Sequence, residues 1–336
     1  MDLPHTFAMP PSIHRPVGRY VGCLLGLAAG DALGAAVEFS DLDAIRARFG
    51  ASGVTDLEPW GGHPAGSFTD DTQMSLATAV GLLSAFRDQS EHGSAQLMGS
   101  LFGAYSAWLE SQREAGEQRA PGRTCVTALA SGRLGTIDQP LNDSKGCGGV
   151  MRVAPIGLAF PADLAFHHAV AAAAITHGHP SGYLSAGVLA EIVSRVTEGT
   201  DITSAAAASC NTLGAYDGNE ETLEALQRAL ELAGRGAEPT SAIEALGSGW
   251  VGEEALAIGL YAAIRFAGDF RAACSAAVNH SGDSDSTGSI CGAILGAAHG
   301  IDAIPASWIA KLERRSLLER TARSLHRAFV EGRLPE

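Results

Sequence analysis

Apolar residues recur at helical spacing along nearly the whole chain, and the alternation of β-branched residues that marks strands is almost absent. Such a chain must bury its apolar stripes by packing helix on helix. The periodicity predicts twelve helices, over 21–37, 72–86, 97–110, 153–160, 164–176, 184–197, 202–213, 220–232, 253–266, 270–278, 290–299 and 305–329. Gly50, Gly53, Pro59, Pro121, Pro140, Pro180, Gly234, Gly236 and Pro239 fall at the junctions, where helix-breaking residues belong. No repeat of solenoid length and no long linker divides the chain. The expected fold is all-α, a compact single-domain helical bundle over 18–332, preceded by a Pro-rich extension over 1–17.

Two of these helices are unusually rich in small residues. The segments from Val21 to Gly30 and from Ile290 to His299 place Gly and Ala at spacings of three and four, which strips side chains from one face. A glycine costs up to about 1 kcal/mol relative to alanine in a helix interior. Four in one helix therefore point to backbone contact with a neighbour that offsets the cost.

Charge narrows the function. The 336 residues carry 23 basic against 37 acidic side chains, a net charge of −14, with no block of clustered Lys or Arg. That balance repels a phosphate backbone, so no nucleic-acid partner is expected. An anionic ligand would need metal ions, backbone N–H groups or a local basic pocket. Pro4, Pro10, Pro11 and Pro16 occupy the first twenty residues without an apolar run, and no charge-free stretch has the length of a membrane span. A cytoplasmic protein with no membrane contact is expected. Its six cysteines are widely spaced without a CxxC pair, which predicts reduced thiols and no structural zinc.

Three acidic clusters sit at helix edges: Gly30-Asp31 with Glu38, Thr69-Asp70-Asp71-Thr72, and Asp283-Ser284-Asp285-Ser286. Helix capping accounts for one or two residues of the second and of the third. It leaves adjacent like charges unexplained, because neighbouring carboxylates repel unless a cation lies among them. Thr69, Asp70, Asp71, Asp283, Asp285 and Ser286 offer six hard oxygen donors, the preference of Mg²⁺, Mn²⁺ or Ca²⁺. The two halves of that set lie more than 200 residues apart, and spacing alone does not decide whether they meet.

These clusters, with Lys145-Gly-Cys-Gly-Gly-Val-Met151-Arg152 and Thr176-His177-Gly-His179-Pro180 between them, resemble in residues and order the ADP-ribosylglycohydrolase family, over about residues 20–300. The resemblance implies the all-α fold of that family and a binuclear centre of two Mg²⁺ or Mn²⁺ ions held by Thr69, Asp70, Asp71, Asp283, Asp285 and Ser286. It also implies hydrolysis of the bond between ADP-ribose and a modified protein side chain, with Asp70, Asp71, Asp285 or Glu38 as the catalytic carboxylates. Glu38 matches an acidic residue that approaches a metal or gates the cleft. Asp31 is equally well read as a structural hydrogen-bond acceptor. By the same resemblance Ser144, Lys145, Gly146, Cys147, Gly148, Gly149 and Met151 would line the diphosphate and distal ribose, and His177 would face the ligand. Cys147 stands where many members carry Asn.

The residues around Lys145 support an anion site independently. Gly146, Gly148 and Gly149 permit positive φ and close approach of backbone N–H groups, and a helix starting within 150–158 would direct its N-terminus at an anion. Cys147 as a nucleophile paired with His177 is a weak alternative, since a cysteine without a base beside it is mostly thiol. Trp60, Phe68, Tyr105, Trp108, Tyr183 and Tyr261 are the aromatic residues considered for stacking adenine. Ser286, where other branches carry Thr, resembles the arginine-specific members, which implies ADP-ribosyl-arginine as substrate and reversal of an ADP-ribosyltransferase. Were that transferase a toxin, the chain would act as an immunity factor and the Pro-rich extension could dock on the transferase. The rival readings are a non-catalytic ADP-ribose-binding or crystallin-like structural member of the same fold, and a metal hydrolase of phosphoesters.

Overall fold

The fold is known from a computed structural model that describes residues 15–334. The described residues form sixteen α-helices and no strand. In order they are α1 Val17–Gly34, α2 Leu42–Phe49, α3 Asp70–His92, α4 Leu97–Ser111, α5 Arg123–Ala130, α6 Ala154–Ala159, α7 Ala162–Ala174 and α8 Pro180–Thr197. They continue with α9 Ile202–Leu213, α10 Glu220–Arg235, α11 Pro239–Leu246, α12 Gly252–Arg265, α13 Phe270–Val278, α14 Ser284–His299, α15 Ala306–Lys311 and α16 Arg315–Phe329. The all-α expectation is met. Helices α2, α5 and α11 were not anticipated, and the helix expected over 305–329 is broken at 312–314, where Arg314 takes a left-handed φ of 48°. None of the helices among the described residues is long and apolar enough to cross a membrane.

The axis of the fold is the antiparallel pair α1 and α14. Gly22, Gly26, Gly30 and Gly34 of α1 meet Gly296, Gly292, Gly288 and Ser284 of α14, and a Cβ at any of these α1 glycines would overlap a facing backbone carbonyl. The small-residue stripes of the sequence are thus two halves of one contact. Both helices are buried almost throughout and lie in a core that also takes in Phe86, Phe160, Phe166, Leu256 and Trp308.

Close packing of α1 on α14 sets the geometry of everything acidic. It lays the C-terminal end of α1, with Asp31 and the following Glu38, beside the first turn of α14, with Asp285. Helix α14 begins at Ser284 with Asp283 as its N-cap, not at 290, so the third acidic cluster forms the first turn of a helix.

The start of the described chain is bolted down. Arg15 is buried and donates to the carbonyls of Gly157, Leu158 and Phe160, to Ser194 Oγ and to Glu198, at 2.6–2.9 Å. Residues 1–14, which carry most of the stretch considered for docking on a transferase, lie outside the described residues.

Candidate active site

Helix α3 is capped twice. Thr69, its N-cap, accepts from Asp71 N at 3.4 Å. From α1, the buried Asp31 accepts the N–H groups of Thr69 at 2.9 Å and Thr72 at 3.0 Å, and the Thr72 hydroxyl at 2.5 Å. All these bonds serve the helix start, which gives Asp31 a structural role. Asp70 and Asp71 occupy the first turn of α3. Asp70 Oδ2 accepts from Gly122 N at 3.1 Å, while Asp71 Oδ2 is buried with no partner among the described residues.

From the other side come Asp283 and Asp285. Asp283 Oδ1 accepts from Ser286 N at 3.3 Å and its Oδ2 takes the Cys147 thiol at 2.8 Å. Asp285 Oδ1 accepts from Ser286 N at 2.9 Å. The carboxyls of Glu38 and Asp283 both lie close enough to Asp285 for its charge to disfavour their ionised forms.

The two clusters feel each other's charge. Burial, then Asp285, pushes the carboxyls of Asp71 and Asp283 well above the usual range, and Asp31 up to about 7. Burial chiefly raises Asp70 as well. Glu38, half-buried, is pushed up by burial and by Asp285, Asp283 and Asp70.

As they stand, no three His, Cys, Asp or Glu side chains among the described residues are arranged as a ready metal cage. The donor set nevertheless fits hard cations. It is all oxygen, it includes the orphaned Asp71 Oδ2, and its clustered carboxylates would be stabilised by positive charge.

The Gly146–Gly149 loop lies against the imidazole of His177. A Cβ at Gly148 would come 3.0 Å from His177 Cε1 and 2.8 Å from Cys125 Sγ, and one at Gly149 would come 2.6 Å from Gly182 O. None of the loop's three glycines has positive φ, so space and not backbone freedom requires glycine at Gly148 and Gly149, while a Cβ at Gly146 would meet only ordinary contacts from 3.4 Å. The expected anion-directed helix is also different: after a 3₁₀ turn at Cys147–Gly149 the next helix, α6, starts only at Ala154, has six residues and is buried throughout.

Other residues of the segment hold the loop. Ser144 Oγ accepts from Gly146 N at 3.2 Å and pairs with Thr124 Oγ1 at 3.0 Å. Lys145 Nζ lies between Glu253 at 2.8 Å and Glu221 at 2.9 Å, which push its ammonium pKa up and occupy its charge. Met151 is buried with Sδ 4.0 Å from Ser286 Oγ. Burial and the Asp283 carboxylate push the Cys147 thiol well up, the reverse of what a nucleophile needs.

Of the aromatic residues considered for adenine, Phe68, Tyr105, Trp108 and Tyr261 are core side chains. Tyr183, on the first turn of α8, belongs to the core as well, which leaves Trp60, half-buried with its ring tilted against His63 at 4.8 Å. Sequence reading passed over Phe39 and Trp250, which stack on each other with centroids 5.4 Å apart, 72% and 41% exposed. Phe39 follows Glu38 at a left-handed φ of 64°, and the Trp250 carbonyl takes the Cys147 N–H at 3.2 Å, so the pair borders the acidic cluster. For Phe39 the available signal was its place directly after Glu38; Trp250 lies far in sequence from every motif, and only the tertiary fold brings it there.

The profile of the ADP-ribosylglycohydrolase family matches residues 12–334. An uncharacterised protein of Archaeoglobus fulgidus is 32% identical, over 92% of this chain and 96% of its own. The ADP-ribosyl-[dinitrogen reductase] glycohydrolase of Rhodospirillum rubrum is 29% identical over 91% and 92%, and the mouse ADP-ribosylhydrolase ARH3 26% identical over 96% and 94%. A solved ADP-ribosylglycohydrolase-related protein complex superposes with a TM-score of 0.62 at 26% identity, covering 93% of this chain and 98% of that one. An all-helical fold with its acidic clusters gathered between α1, α3 and α14, matched over nearly its full length, places this chain in the ADP-ribosylglycohydrolase family.

Proposed function

We propose that the chain is a metal-dependent hydrolase that removes ADP-ribose from modified protein side chains, with ADP-ribosyl-arginine as its substrate. The observation that carries this reading is the meeting of Asp70 and Asp71 with Asp283 and Asp285, where the buried Asp71 Oδ2 has no partner among the described residues. Family membership supports the glycohydrolase class.

Thr69, Asp70, Asp71, Asp283, Asp285 and Ser286 would hold two Mg²⁺ or Mn²⁺ ions. When bound, such ions supply positive charge at the ribose hydroxyls and a water acidified for attack on the anomeric carbon. The chain's own groups do the rest. Asp71 Oδ2, without a partner among the described residues, would take the proton of the attacking water, whereas one oxygen of Asp70 is already engaged by Gly122 N–H. Glu38, its pKa raised by burial and by Asp285, would border the site where the modified side chain enters. His177 and the backbone of the Gly146–Gly149 loop would receive the diphosphate. A guanidinium leaving group suits this acidic surround, and Ser286 agrees with the arginine-specific pattern. The activity would reverse an ADP-ribosyltransferase, as an immunity factor if that enzyme is a toxin.

Incubation with Mg²⁺ and an ADP-ribosyl-arginine protein, beside an ADP-ribosyl-serine peptide, tests the reading by release of free ADP-ribose. Release from arginine alone, lost in Asp71→Asn, is expected. Tight binding of ADP-ribose without release would assign a non-catalytic module instead, and phosphate release from a simple ester a different hydrolase.

A further inference from the structure

Arg152 is fully buried, yet no carboxylate among the described residues pairs with it. Its Nη1 meets Met74 Sδ at 3.8 Å and Cys125 Sγ at 3.5 Å, its Nη2 donates to Ala172 O at 3.1 Å and Thr176 Oγ1 at 2.7 Å, and its Nε has no partner. The Tyr105 ring covers the guanidinium at 4.4 Å. A buried cation without a counter-charge is costly, and its cost asks for a compensating role.

The hydrogen bonds specify one. Arginine only donates, so Thr176 Oγ1 accepts from it and has its own proton left to give. His177 Nδ1 stands 2.8 Å away, against 3.5 Å for the competing Ala173 carbonyl. A neutral imidazole that accepts at Nδ1 carries its proton at Nε2. Burial, helped by the Arg152 charge, keeps the ring neutral, with its pKa pushed down to about 3. Nε2 has no protein partner among the described residues and faces the loop, where a Cβ at Gly148 would lie 3.3 Å from it and one at Gly146 3.5 Å. The other nearby cation, Lys145, is held between two glutamates.

We infer that Arg152 is a positioning residue which, through Thr176, fixes His177 with its Nε2–H aimed into the Gly146–Gly148 loop as a donor to a phosphate oxygen of ADP-ribose. Its own charge, uncompensated by any carboxylate pair, polarises that chain of donors and supplies positive potential behind the loop in an acidic protein. The inference rests on the ADP-ribose reading above.

The test compares the wild type with Thr176→Val, which removes the hydroxyl and keeps the branched shape, and Thr176→Ser, which keeps the hydroxyl. Two quantities are read: the dissociation constant for ADP-ribose by calorimetry in Mg²⁺, and the imidazole tautomer by ¹⁵N NMR, with the His177 signals assigned through His177→Gln. The wild type and Thr176→Ser are expected to hold the proton on Nε2 and to bind within about twofold of each other. Thr176→Val is expected to bind about tenfold more weakly and to lose the single tautomer. A wild-type proton on Nδ1, or a Thr176→Val protein equal to wild type in both readouts, overturns the relay. Failure of the wild type to bind ADP-ribose overturns the functional reading and with it the phosphate role, while the tautomer still decides whether Arg152 and Thr176 orient the ring.

Discussion

Gly30 of α1 and Gly288 of α14 face each other so closely that a Cβ on either would overlap the other's carbonyl oxygen. That contact fixes the separation of the two helices, and the acidic residues on both follow from it. Gly30→Ala is therefore expected to force the pair apart and destabilise the fold by about 3 kcal/mol or more, at the upper end of overpacking effects. Gly234→Ala, in α10 with nothing near its would-be Cβ, is expected to be neutral or to stabilise by up to about 1 kcal/mol. Urea unfolding of the two variants checks the contrast.

Burial, and after it the charge of Asp285, raises the carboxyls of Asp31, Asp71 and Asp283. A carboxyl whose folded pKa is raised contributes stability that is fully present below its unfolded pKa and is lost as pH climbs through the folded value. For Asp31 that window runs from 3.8 to about 7. In EDTA the wild type should thus lose stability from pH 4 to 7. Asp285→Asn should lose less, ending about 1–2 kcal/mol more stable near pH 7.5. Added Mg²⁺ should raise the melting temperature of the wild type only.

His280 has the opposite sign. It is buried, with Nε2 3.0 Å from Thr287 Oγ1, and burial pushes its pKa down to about 4. Between pH 6.5 and 4 the unfolded chain takes up a proton that the folded one refuses, so this contribution falls as pH falls. His280→Gln should flatten the acid limb of stability by up to about 1.4 kcal/mol per pH unit. An unchanged slope in urea titrations would contradict it.

Much of this was legible in the sequence, for a physical reason. Residues that must lie close in space but far apart in the chain left local marks: small residues at helical spacing in α1 and α14, and like charges side by side at 70–71 and 283–285. Helices α2, α5 and α11 have eight residues each, too few for periodicity to rise above background. The engagement of Lys145 by Glu221 and Glu253 was hidden because those partners come from α10 and α12. Arg152 was visible only as the end of a motif, since its burial and its missing counter-charge are tertiary facts.

Cys147 provides a discriminating chemical test. Its raised pKa and its bond to Asp283 make it a spacer beside the acidic cluster. Cys147→Ser should retain ADP-ribose release within about threefold, a change of under 1 kcal/mol in transition-state stabilisation. A loss of several orders of magnitude would reinstate covalent catalysis.

The central claim is that carboxylates from α3 and α14 form one cation site, and anomalous diffraction from crystals grown with Mn²⁺ tests it most directly. The account predicts two anomalous peaks enclosed by Thr69, Asp70, Asp71, Asp283, Asp285 and Ser286, both absent in Asp285→Ala. Crystals that show manganese elsewhere, or no manganese bound to these side chains, would contradict it.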